Sequence, residues 1–429
     1  MANDYTSNTN KKLLKAFAKG FESSTVLTNT VSKQLVNDFD ASTDGGYGQV
    51  AMKRPPQYVP QRTADGDVTA STNPVRTGKV QAKVSDFITV YVENTQVEEA
   101  LETDQLDQLL LPIAEDMIVT LESELGDFMA QNAALTSGDP DKSIATWADV
   151  ANAGALLKDI GAPSGKRYGV IDCFDEVTLA NLQTQLGVNP EANQAWANAV
   201  VKEGFAGLSQ VLTSNNLPQY TTGNDVTGIT LAATPSPLYS AYKDTYRMTL
   251  NIAGLTATTG TITAGTTLEF PTRLMVNLRN HKTLFKGGAG VPLTLTVLPD
   301  TDGSLTYTAD GSGNAAIQVS GAGIFESGVN GAFNTVASAL TSGDAITIRE
   351  TASTTYRPGL AYCEGFVGMG SVVLPKLHAT DSMVMNHKGV SIRLHKFSDG
   401  AGNKNRYRFD MLPTFACFNP FWGVRMNGL

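Results

Sequence analysis

The chain has 429 residues, 41% hydrophobic and 17% charged, with 40 glycines, 18 prolines and a formal net charge of −9. That length supports two or three cores at about 150 residues each, and the make-up is that of a globular chain tilted towards β structure and loops, not a disordered polymer. The acidic balance excludes a surface that binds nucleic acid over its whole extent, and no apolar run approaches the roughly eighteen residues that would span a membrane.

Residues 9–21 set Leu13, Leu14, Phe17 and Phe21 at helical spacing opposite Lys11, Lys12, Lys15 and Lys19. This predicts a short basic amphipathic helix that docks on a protein neighbour, with membrane association as the sharper alternative. Residues 40–82 are polar and weakly hydrophobic. They cannot build a core of their own and read as an extended β arm packed on something else. A long helix follows over 106–128, because Leu106, Leu110, Ile113, Met117, Leu121, Leu125 and Phe128 recur every three or four residues. Pro112 implies a kink or a restart near Leu111.

A second helix is predicted over 141–160, with Gly161 as its C′ residue and Pro163 blocking continuation, then a buried strand at 168–171. Further helices are expected at 176–186 and 191–202 and a strand at 208–213, which together make an α/β or α+β domain. Residues 223–355 are Thr-, Gly- and Ala-rich, with short alternating segments at 246–252, 267–270, 293–298, 315–319 and 345–349. Turn clusters at 299–304 and 310–314 separate them, so the block reads as a small inserted β barrel or sandwich that closes on itself. Two alternating strands near the end, 390–396 and 406–411, flank a Gly/Asn turn and form a hairpin.

Charge is segregated along the chain. Eleven carboxylates lie between Glu93 and Asp127 with no Lys or Arg among them, so the remainder of the chain would carry +2. Upstream, Lys53, Arg54, Arg62, Arg76, Lys79 and Lys83 face only Asp65 and Asp67; residues 387–429 are also basic. Separate faces of opposite sign suit a self-assembling subunit, whose complementary patches orient neighbouring copies. The candidate intersubunit contacts are Lys53, Arg54, Arg62, Arg76 and Lys79 on one side. On the other are Glu98, Glu99, Glu102, Glu115, Asp116, Glu122 and Glu124.

Nothing points to catalysis. Residues 161–167 resemble a phosphate loop, but the spacing is one residue short and Arg167 stands where Ser or Thr is required. The segment also follows a helix and precedes a strand, the reverse of such loops. Asp300 and Asp302 before Gly303 resemble a calcium loop without its closing glutamate, and read as a hairpin turn, as does 310–314. The four histidines lack ligand spacing, so no metal or cofactor is expected. Cys173, Cys363 and Cys417 are odd in number and far apart, as reduced thiols are. No secretion signal is recognised at the N-terminus.

Taken in order, these parts resemble the major capsid proteins of tailed phages with the Hong Kong 97-type fold, and more narrowly the insertion-domain-bearing coat proteins of short-tailed Salmonella-type phages. The likeness is sharpest in LLKDIGAPSGKRYGVIDCFDEVTLANL and GFAGLSQVLTSNNLP within 153–218. It is equally sharp in TYRPGLAYCEGFVGMGSVVLPK and NRYRFDMLPTFACFNPFWGVRMNG within 353–428. The resemblance implies an α+β fold with an N-arm (1–43), an E-loop region (44–90) and a P-domain spine helix (91–139). It further implies an A-domain (140–222), an inserted all-β domain (223–355), an A-domain return (356–382) and a P-domain C-terminal hairpin (383–429). The implied role is a shell subunit in hexamers and pentamers of a virion, assembled in the host cytoplasm with scaffolding and portal proteins. Contact with packaged DNA is expected to be weak and non-specific, with no membrane and no small-molecule substrate. The competing reading is a surface or adhesin-like β-rich protein on an α/β base.

Overall fold

The computed structural model describes residues 25–36, 49–53, 58, 60, 62–69, 75–76, 78–83, 86–95, 106–185, 200–376, 381–387, 389–399 and 402–429. The helix expected over 9–21 lies outside them. The chain divides into two compact units: Met1–Ala51, Gln81–Gly126 and Val367–Ala416 form one, and Met52–Val80, Asp127–Phe366 and Cys417–Leu429 the other.

In the first unit, helix α1 (Leu106–Asn132) runs without interruption through Pro112 and continues past the unit's edge at Gly126. Ala114, Met117, Ile118, Leu121 and Leu125 are buried, the i, i+3, i+4, i+7 stripe that drives an amphipathic helix to pack. The hairpin expected near the C-terminus is present as Val390–Asp399 and Lys404–Met411, and it is the centre of a four-stranded sheet. Ser382–His387 and Ile88–Thr95 pair on its two sides. A three-stranded sheet holds Ser32–Val36, Val367–Val372 and Pro413–Cys417. Strands Gln49–Lys53 and Lys79–Lys83 pair with each other at the base of the predicted arm.

The second unit is built on a mixed six-stranded sheet in the order Leu135–Ser137, Gly423–Met426, Gly359–Cys363, Arg167–Ile171, Leu208–Thr213, Val200–Phe205. Helix α2 (Trp147–Asp159) begins where the Asp149 carboxylate accepts hydrogen bonds from the Ala145 and Thr146 amides (2.9 and 2.8 Å), and ends before Gly161 at φ +84. Helix α3 covers Cys173–Gln185. The helix expected at 191–202 does not extend to its end: Val200–Phe205 is a strand. Ala206 (φ 50) and Gly207 (φ 88) turn it back onto Leu208–Thr213 as a tight hairpin. The chain leaves this unit at Phe366 and returns at Cys417, so its last strand pairs here and not with the hairpin that precedes it.

The Thr/Gly-rich block carries a five-stranded sheet with Arg247–Ala253, Ala315–Ser320, Pro292–Val297 and Thr267–Leu274 as its long members. Leu250, Ile252, Leu268, Phe270, Leu293, Leu295, Ile317 and Val319 are fully buried, as the alternation requires. The expected strand at 345–349 is reduced to single bridges, Ala345 to Thr230 and Thr347 to Glu269. The block's core merges with that of its surroundings. Thr294 and Thr296 hydroxyls donate to the Ala134 and Ala133 carbonyls (2.7 and 2.6 Å), and Ser320 to Asn132 (2.8 Å). Arg425, 1% exposed, reaches Gly265, Thr267 and Thr296 from the last strand and stands 5.2 Å from the Tyr220 ring. No helix among the described residues is long and apolar enough to cross a membrane.

Candidate functional site

Folding joins one of the eleven segregated carboxylates to the basic C-terminal run. Glu93, the first of the eleven carboxylates, is the register partner of Arg406 and ion-pairs with both Arg406 (2.9 Å) and Lys404. Its carboxyl is held below the usual range by those two hydrogen bonds, Lys404 first. Arg406 also meets Asp399 (3.6 Å), and Arg393 is buried against Asp410 (2.6 Å). Four cations of the C-terminal run, Arg393, Lys404, Arg406 and Arg408, are thus paired with acids inside their own sheet.

Glu122 departs most from expectation. It is not on the exposed acidic face but 1% exposed, and its carboxylate is consumed within the chain. Oε2 accepts from the Val26 and Leu27 amides (3.3 and 2.7 Å), and Oε1 from the Thr28 amide (2.7 Å) and hydroxyl. Burial pushes its carboxyl above the ordinary value, opposed by the hydrogen bonds from Thr28, Leu27 and Val26. The carboxylate thus fastens the turn Leu27–Thr30 onto α1. Position gave the signal: Ala114, Ile118, Glu122 and Gly126 are four apart and all buried, so Glu122 belongs to the apolar stripe. Asp127 is half-buried, and burial raises its carboxyl too.

Arg76 is likewise not an outward contact. It pairs with Glu326 (3.5 Å) and donates to Asn330 (2.8 Å) in its own unit, and Glu326 also accepts from the Tyr239 amide (2.7 Å). Of the other candidates, Arg62, Glu115, Asp116 and Glu124 are exposed. Lys53 ends the strand Gln49–Lys53 and Lys79 begins its partner Lys79–Lys83. Arg54, Glu98, Glu99 and Glu102 lie outside the described residues. Among the described residues none of the basic candidates is brought onto an acidic one, and folding removes Arg76 and Glu122 from the outward-facing set.

Elements that resembled reactive motifs serve structure. Arg167 turns its guanidinium onto the Ala162 and Pro163 carbonyls (2.9 and 3.2 Å), which closes the 161–167 turn. The Asp302 and Asp310 carboxylates accept from the backbone of their own turns at Ser304, Ser312 and Asn314. Cys173 is exposed, whereas Cys363 and Cys417 are buried, and burial pushes the Cys363 thiol up to about 11. Among the described residues no three His, Cys, Asp or Glu side chains gather as metal ligands.

The family model described as P22 coat protein, gene protein 5, matches residues 1–428. The chain belongs to the P22 coat protein family. A relative described as the major capsid protein of Acyrthosiphon pisum secondary endosymbiont phage 1 is 38% identical over 431 residues, covering 100% of each chain. Among solved structures, this coat-family chain is similar to the capsid of Ralstonia phage GP4, at 7% identity and a TM-score of 0.45 over 94% of this chain and 91% of that one. It is also similar to the capsid of cyanophage P-SCSP1u, at 11% identity and a TM-score of 0.42 over 95% and 89% of the two chains.

Proposed function

We infer that this chain is a phage major capsid protein, a subunit that self-assembles into the icosahedral head around double-stranded DNA. The observation that carries the reading is the family match over residues 1–428, supported by 38% identity over its full length to a phage major capsid protein. In this reading the fold is of the Hong Kong 97 type. Helix α1 is the spine, the paired strands Gln49–Lys53 and Lys79–Lys83 are the base of the E-loop, and residues 223–355 are an inserted β domain. Copies associate as hexamers and pentamers, with scaffolding and portal proteins as assembly partners and only weak, non-specific contact with DNA. Charge complementarity contributes through Lys53, Arg54, Arg62 and Lys79 of one copy against Glu98, Glu99, Glu102, Glu115, Asp116 and Glu124 of another.

Sedimentation velocity of the purified protein tests this. A shell subunit of 45.5 kDa partitions between slow subunits and a fast, discrete boundary of closed particles, increasingly so as concentration rises. A single slow species at every concentration and salt contradicts the reading.

A further inference from the structure

We propose that Phe174 of one copy docks into an aromatic cleft on a second copy, its acidic collar meeting that cleft's basic rim. The proposal rests on the reading of the chain as a self-assembling coat subunit.

Phe174 is 81% exposed, the most exposed large hydrophobic side chain among the described residues, and Val177, three positions on along the same helix face, is 58% exposed. A solvated phenylalanine next to a solvated valine is an apolar knob without a partner among the described residues. Asp172, Asp175 and Glu176 flank it in sequence at the start of α3, and Arg357 pairs with Asp172 (3.0 Å). Burial, ahead of the neighbouring Asp172, pushes the Asp175 carboxyl up to about 6.

The cleft lies elsewhere on the same unit. It encloses about 440 Å³, and Tyr239, Tyr246, Phe333, Phe418 and Trp422 line it. Tyr239 stacks on Phe333 at 3.7 Å and meets Tyr246 edge-on at 6.3 Å, so the wall is packed in advance of any occupant. Such a wall receives one more ring edge-on or offset. No acid lines it; its charged and titratable members are Arg279 and His281. Lys282, next in sequence to the lining residue His281, is exposed. The Arg279 Nε donates to the Gly161 carbonyl (3.1 Å) and the Asn277 amide to the Lys282 carbonyl (2.8 Å), which ties this basic turn to the end of α2. The buried His281 Nδ1 has no hydrogen-bond partner, a polar atom left over in the wall.

The two surfaces match in both respects, ring to aromatic wall and acids to cations, and Phe174 does not line its own chain's cleft. Because knob and cleft are different patches, the contact is head-to-tail. It generates a ring wherever the rotation closes, as a capsomer requires. Burying one phenylalanine strengthens association by about ten- to hundredfold.

The chain supplies its own chemical probe, since Cys173 is exposed next to Phe174 while Cys363 and Cys417 are buried. Assembled particles of the Lys282→Cys variant, treated with a short bis-maleimide, should give a ladder of covalent multimers on a denaturing gel. The ladder should vanish when Cys173→Ser is added. Independently, Phe174→Ala should raise the protein concentration needed for assembly by about ten- to hundredfold while leaving the subunit's melt unchanged, as expected for an exposed side chain. Particles that form but give no ladder, or wild-type particles that cross-link through Cys173 alone, overturn this contact and leave the coat reading standing. A wild-type chain that never forms particles removes the coat reading itself.

Discussion

Replacing Asp410 should strongly destabilise the first unit, because the residue is fully buried and holds the buried Arg393. Its side chain is 0% exposed. Oδ2 accepts from the Arg393 Nε (3.1 Å) and a terminal guanidinium nitrogen (2.6 Å), and Oδ1 from Thr89 (2.8 Å) and Arg408 (2.7 Å). Arg393 is itself 7% exposed, so Asp410→Ala strands a cation away from water, at a cost of about 3–5 kcal/mol. For a domain of this size each kcal/mol lowers Tm by about 2–4 °C, so its transition should fall by about 10 °C. Asp410→Asn retains volume and the Thr89 contact and should fall between. The double change Arg393→Met/Asp410→Leu removes both charges and should recover most of the loss. Burial raises the Asp410 carboxyl, but the hydrogen bonds from Arg393, Arg408 and Thr89 outweigh it and hold the group below its ordinary value. A depressed folded pKa stabilises above the unfolded value of about 3.9, and that contribution fades as pH falls through the lower folded value. Differential scanning calorimetry of unassembled subunits from neutral to acid pH follows both effects. A loss under about 1 kcal/mol for Asp410→Ala, or a double variant no more stable than the single, refutes the reasoning.

Three further outcomes are expected. Glu122→Gln turns an amide NH₂ towards backbone donors at residues 26–28 and should destabilise by about 1–3 kcal/mol, seen as faster hydrogen exchange at Leu27 and Thr28. Because the folded Glu122 carboxyl is raised, its contribution is full at low pH and diminishes as pH rises through the folded value, opposite in sign to Asp410; equal exchange rates in the two proteins would remove its anchoring role. Reversing Arg54 and Arg62 to Glu should leave subunit melting intact and block particle formation through contacts within about 8–10 Å; normal assembly would show that this loop does not steer. Residues 223–355 cut out alone should give dispersed amide signals and a cooperative melt from their own buried sheet, with lower stability for want of Arg425; a collapsed spectrum would mean that the core is borrowed.

The elements with strong periodicity were legible from sequence: α1, α2, the strand before α3, the long strands of the Thr/Gly-rich block and the C-terminal hairpin all lie near their expected positions. Local patterns failed where a tertiary or turn effect decides. Residues 200–202, the end of the helix expected over 191–202, belong instead to the strand Val200–Phe205, which the left-handed Ala206–Gly207 pair turns back onto Leu208–Thr213, a weaker cue than Asn-Gly. Pro112 does not end α1. Charge proved the least legible property, since sequence distance hides pairing: Glu93 lies more than 300 residues from Lys404 and Arg406 yet binds both. Arg76 and Glu122 were similarly indistinguishable from their exposed neighbours by residue type alone. The aromatic cleft draws on segments from Tyr58 to Trp422, and no local window of sequence contains it.

Cryo-electron microscopy of the particles formed by the purified chain tests the central claim most directly. Closed shells of icosahedral symmetry are expected, their wall a single layer of this fold repeated in rings of five and six. Ordered particles without that lattice, or soluble protein that yields only isolated subunits under every assembly condition, would contradict it.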